Sequence, residues 1–139
     1  MGGMIPHGIA LWRLFFPDHM NTIDTSTLAK RLAGGHAFLR TRNGDIKGLA
    51  INARDNPDAP EVLIVGLGPN KVANAERLLA HDKAVPLYLK QAVNAWTYRG
   101  EFRATAFLRD PSVIERHRRH HEVSEVAGIL FLERVDANG

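Results

Sequence analysis

The sequence predicts an α+β domain: a curved mixed β-sheet or β-barrel with about three flanking helices. Three observations lead there. The elements read in the order β, α, β, β, β, α, β, β, α, β, with no internal repeat, so strands outnumber helices by about two to one. Asn43-Gly44 joins two of the strands, and this dipeptide accepts the positive φ that a tight hairpin demands. The run "NAWTYRGEFRATAF" is long for a single strand, and long strands under mixed connections favour strong curvature.

Taken in order, "GIALWRLFF" over residues 8–16 is rich in aromatic and branched side chains and is closed by Pro17, which makes it the first strand. In "IDTSTLAKRLAGG", Asp24 or Thr25 caps a short helix, Leu28 and Leu32 share its buried face, and Gly34-Gly35 ends it. The hairpin "HAFLRTR" and "IKGLAIN" follows. After the polar loop "ARDNPDAP" comes "EVLIVG", a short strand apolar on both faces. Pro69 then opens an amphipathic helix to about His81, with Val72, Ala75 and Leu79 on one stripe. The strand "VPLYLKQ" carries Pro86, which places the proline among its first residues or the strand at an edge. Asp110-Pro111 starts a third helix running to about His121, and "AGILFLERV" is the closing strand.

At 139 residues, 45% hydrophobic and 24% charged, the chain reads as one domain spanning residues 1–139. It has no cysteine, which removes disulfides, Cys-ligated zinc and thiol nucleophiles and fits a reducing compartment, so a cytoplasmic location is expected. The longest apolar run, "VAGILFL", is far short of the roughly 18 residues of a membrane span. "GIALWRLFF" is no signal peptide in pattern, because Arg13 interrupts it and no small-residue cleavage site follows. Net charge is only +3, yet residues 71–121 hold ten basic and five acidic residues with four of the seven histidines. That local excess favours an anionic partner such as nucleic acid.

Catalytic chemistry finds little support. Ser26, Ser112 and Ser124 sit in no nucleophile elbow, and the carboxylates Asp55 and Asp58 lie in a turn-forming loop. Gly66-x-Gly68 follows a strand and opens a helix, but Lys71 stands at the third glycine position, Pro69 lacks an amide, and no acidic residue ends the next strand, which argues against a dinucleotide site. Lys71 and the free amides near Gly68 remain candidates for a nucleic-acid phosphate. His117, His120 and His121 have permissive metal spacing, so a small metal-dependent hydrolase is one alternative; the neighbouring Arg118-Arg119 pair instead favours phosphate contact. A protein-interaction module using an exposed sheet edge is the other alternative.

In "NAWTYRGEFRATAF" a period of two puts Trp96, Tyr98, Gly100, Phe102, Ala104 and Ala106 on one face and Thr97, Arg99, Glu101, Arg103 and Thr105 on the other. The greasy face either fills a core or lines a cavity. Gly100 leaves a gap beside two rings that carry polar handles, and such a gap suits a stacked base. The base-contact set is therefore Trp96, Tyr98 and Gly100 with Asn94 and Trp12, and the phosphate set is Lys71, Lys90, Arg99, Arg103, Arg116, Arg118 and Arg119. No catalytic residue, metal ligand or cofactor is assigned.

The segments "NPDAPEVLIVGLGP", "VPLYLKQAVNAWTYRGEFRATAF" and "VAGILFLERVD" resemble a bacterial domain associated with restriction-type HNH nucleases. The layout is similar to the PUA-like superfamily that includes the SRA, EVE and YTH modified-base readers. What the resemblance implies, over roughly residues 36–136, is a curved barrel that takes a flipped or unpaired, often modified base between aromatic rings. It further implies DNA ahead of RNA as partner, a role in defence or restriction, and a partner nuclease.

Overall fold

The computed structural model describes residues 21–136, so the expected strand at residues 8–16 and Trp12 lie outside the described residues. Strand β1, Thr22–Ile23, leads into helix α1, Thr25–Arg31. Asp24 caps that helix: its carboxylate accepts the Thr27 amide at 2.7 Å, and the bond holds the carboxyl below its ordinary value. Strands β2, Leu39–Arg42, and β3, Asp45–Asn52, pair antiparallel through Asn43-Gly44, whose φ angles of 55° and 85° are those the dipeptide predicts. Then come β4, Val62–Gly66; α2, Pro69–Ala80; β5, Val85–Ala92; β6, Ala95–Leu108; α3, Pro111–His117; a 3-10 turn, Val123–Glu125; and β7, Val126–Arg134.

The strands form one sheet in the order β2-β3-β5-β6-β7-β4, with β1 beside β6; only β3 and β5 run parallel. Together with three helices this is the expected α+β architecture, and the sheet curls into a half-barrel. Pro86 is the second residue of β5, a central strand, and so sits among its first residues.

Alternation along single strands assigns the layers. In β3, Leu49 and Ile51 join one core cluster while Ala50 between them joins another. The concave face holds Leu49, Leu87, Leu89, Phe102 and Leu130 against Ala75 and Leu78 of α2. The buried stripe of α2 is thus Ala75 and Leu78; Leu79, expected inward, is 39% exposed. On the convex face, α1 covers Ala50, Tyr88 and Trp96 with Leu28 and Leu32, and α3 covers Val126 and Ile129 with Ile114.

Candidate functional site

The predicted common face of β6 is not formed, and the register gives the reason. Tyr88 pairs with Tyr98 but Leu87 pairs with Gly100, so one step on β5 spans two on β6 and Arg99 is the extra residue of a β-bulge. Before the bulge, Trp96 and Tyr98 point to the convex side with Tyr88, and Thr97 points inward beside Leu89. After it, Gly100 and Phe102 take the concave side opposite Leu87 and Val85. The aromatic pair and Gly100 therefore share no cavity.

Trp96 is 6% exposed and packed under α1, its Nε1 donating to Thr25 Oγ1 at 3.0 Å, with the Arg40 and Lys90 cations 6.0 and 5.8 Å from its ring. Tyr98 is 48% exposed. Asn94, at φ 58°, spends its side-chain oxygen on the Thr25 amide at 2.9 Å, which makes it a turn residue of the β5–β6 connection. Gly100 has φ 119°, and a Cβ there would stand 2.8 Å from Arg134 Nε.

The predicted phosphate set divides by pairing. Arg103 meets Glu133 at 3.4 Å, Arg118 meets Glu115 at 2.9 Å, and Arg119 meets Asp58 at 2.9 Å. Lys71, Lys90, Arg99 and Arg116 form no ion pair among the described residues. Of the three histidines, His120 and His121 come together, their rings stacked 4.4 Å apart, and His117 stands elsewhere. Helix α3 stops at His117, Arg119 turns the chain with φ 54°, His117 packs edge-on against Phe131, and His121 Nε2 hydrogen-bonds the Asp55 carbonyl at 2.7 Å. Among the described residues no three His, Asp or Glu side chains are grouped to hold a metal ion.

The cavity lies elsewhere. Strands β3 and β4 are consecutive in sequence but are not hydrogen-bonded to each other; β2 and β4 are the edges of the half-barrel, and the segment leading into β2 and the end of β3 line a gap with β4. The gap, bounded by the start of α2, is a cleft of about 780 Å3. Its apolar wall includes Phe38, Ile51, Val65 and Leu67. Arg40, only 6% exposed, fixes the turn before Phe38 by donating to the carbonyls of Ala33 at 2.9 Å and Ala37 at 2.7 Å, and burial draws its pKa below the ordinary guanidinium value. Phe38 itself accepts the Ala50 amide at 2.9 Å.

Two of the polar groups in the cleft are structural. Asn56 clips the two strands together, its Oδ1 accepting the Ile64 amide at 2.8 Å and its Nδ2 donating to the Asn52 carbonyl at 3.2 Å; Asn52 Oδ1 accepts the Arg54 amide at 2.9 Å. Others are unengaged. Asn70 and Asn74, one turn apart on α2, line the cleft with Lys71 and His36, and these four side chains make no hydrogen bond or ion pair among the described residues. The Lys71 stem crosses Gly66, where a Cβ would stand 3.3 Å from Nζ.

Of the predicted base and phosphate residues that are described, Lys71 alone lines this cleft. Phe38, Asn70 and Asn74 escaped the sequence reading. The one signal that touched Asn70 and Asn74 was the glycine turn before α2, since residues at i and i+4 share a face of the helix it opens and Lys71 stands three residues before Asn74; nothing in the sequence singled out Phe38. No protein-family model, curated protein or solved structure matches this chain.

Proposed function

We propose that the protein binds nucleic acid and receives an unpaired or flipped base in the cleft between β3, β4 and α2. One observation carries this reading: the Asn70 and Asn74 amides, without internal partners, line a cleft whose apolar wall includes the Phe38 ring. A carboxamide offers an adjacent donor and acceptor, the pattern that pairs with the edge of a base, and an aromatic wall accepts its face. Lys71 supplies a permanent positive charge for the flanking phosphate, next to the free amides at the start of α2. Extruding a base costs a few kcal/mol, which stacking and edge hydrogen bonds return, and mismatched or damaged bases cost least.

On this reading the partner is DNA ahead of RNA, the base is a modified one, and the setting is cytoplasmic defence or restriction alongside a nuclease. The PUA-like resemblance supports those finer points. The test is a binding screen of duplexes bearing one modified or mismatched base, run with Asn74→Leu and Phe38→Leu. Both variants should melt close to the parent while losing about five- to a hundredfold in affinity, the cost of about one stacked, edge-bonded base. Unchanged binding in folded variants overturns the proposal.

A further inference from the structure

Tyr98 stands on the convex face and is not part of the cleft wall. Its ring is 48% exposed yet held in place on several sides. The hydroxyl donates to Glu101 at 2.5 Å, and Tyr88 backs the ring at 5.4 Å between centroids with a 51° tilt. Tyr88 is in turn fixed by Arg31, which donates to its hydroxyl at 3.0 Å. Such a ring has little rotamer freedom left to lose on binding.

The carboxylate beside it, Glu101, is engaged by the Tyr98 hydroxyl, and guanidinium groups stand nearby. Arg31, Arg99 and Arg134 have no carboxylate partner among the described residues, unlike Arg54, Arg103, Arg118 and Arg119. Arg134, opposite Phe102 near the end of β7, fills the room left by the missing Cβ of Gly100, and its positive charge acts on the Tyr98 hydroxyl. An exposed, immobilised ring with unpaired guanidinium groups beside it complements a ligand that is aromatic and anionic at once. Unpaired nucleotides have that chemistry; a duplex covers its base faces by stacking.

We infer that Tyr98 is a stacking platform for an unpaired base of a single strand, with Arg31, Arg99 and Arg134 contacting the flanking phosphates. The inference rests on the nucleic-acid reading above but not on the cleft. It is tested by anisotropy with a labelled thymidine homo-oligomer and with an abasic oligomer carrying the same number of phosphates. Tyr98→Ala and the bulkier Tyr98→Leu should each weaken the thymidine oligomer about five- to a hundredfold and leave the abasic oligomer as it was, while Tyr98→Phe keeps the ring and stays within about twofold of the parent.

Equal loss on both oligomers, or parental affinity for thymidine in a folded Tyr98→Leu protein, overturns the platform. The same follows if the parent protein binds no single strand. Cleft variants are scored on duplexes with a modified or mismatched base, so the two readings fail separately. If Asn74→Leu loses those duplexes while Tyr98→Leu binds thymidine normally, the cleft stands and the platform falls.

Discussion

Thr97 is 4% exposed and its hydroxyl has no hydrogen-bond partner, because the register turns it inward beside Leu89 while its neighbours face out. A buried donor without an acceptor costs about 1–3 kcal/mol, so Thr97→Val, which keeps the shape and removes the hydroxyl, should raise stability by about 1 kcal/mol in chemical denaturation. Gly100 runs the opposite way. Its φ of 119° and the nearness of Arg134 mean that Gly100→Leu should cost about 1–3 kcal/mol, read as an earlier melt. Tyr98 offers a titration. Desolvation and the bond to Glu101 push its hydroxyl from 10.0 up to about 12. The protonated form is the favoured one, so this contribution is complete below pH 10 and is lost as pH climbs toward 12. The chain has two tyrosines, so in Tyr88→Phe the phenolate absorbance reports Tyr98 alone, with an expected midpoint near 12. A midpoint near 10 would mean that neither the desolvation of the ring nor its bond to Glu101 holds in solution.

At the scale of elements, the end of β3 is tied to β4 by one side chain, Asn56. Asn56→Ala removes the acceptor of the Ile64 amide and should lower stability by about 1–3 kcal/mol, with a matching loss of amide protection in β4 by hydrogen exchange. Local chemistry made several elements legible in advance. Asn43-Gly44 fixed the hairpin through φ, Asp24 fixed the start of α1 through its cap, and Pro69 and Pro111 stand first in their helices. The site was far less legible. The face of Trp96, Tyr98 and Gly100 followed from strict alternation, and a bulge is set by pairing with β5, which β6 alone does not reveal. Likewise the sequence extends α3 to about His121 because the residues after His117 are adequate helix formers, whereas tertiary contacts from Arg119 to Asp58 and from His121 to Asp55 turn the chain away. The cleft arises between strands that fail to pair, a consequence of sheet order that no short window of residues contains.

For the molecule as a whole, a net charge of +3 matters less than which cations are free. Half-exposed pairs such as Arg103 with Glu133 are weak, below about 1 kcal/mol, but the carboxylate still offsets the charge offered to a phosphate. Nucleic-acid affinity should therefore fall steeply between about 50 and 200 mM salt, and Lys71→Ala should reduce the log–log slope by about 0.9 while Arg103→Ala changes it less. Equal slopes for the two variants would place Lys71 away from the phosphates. The strand β6 threads all of this, pairing with β1, β5 and β7 in turn. Arg99 is unmatched on the β5 side and Thr105 on the β7 side, since Ala104 meets Leu132 and Ala106 meets Phe131. Inward positions thus run Thr97, then Gly100, Phe102 and Ala104, then Phe107: odd, even, odd. Tolerance to substitution along this one segment should beat with a period of two and change phase twice; excising Arg99 alone should leave every other residue on its present face, because Tyr98 and Gly100 already point to opposite sides, whereas excising Glu101 would act as a frameshift in space and exchange the concave and convex residues on one side of it.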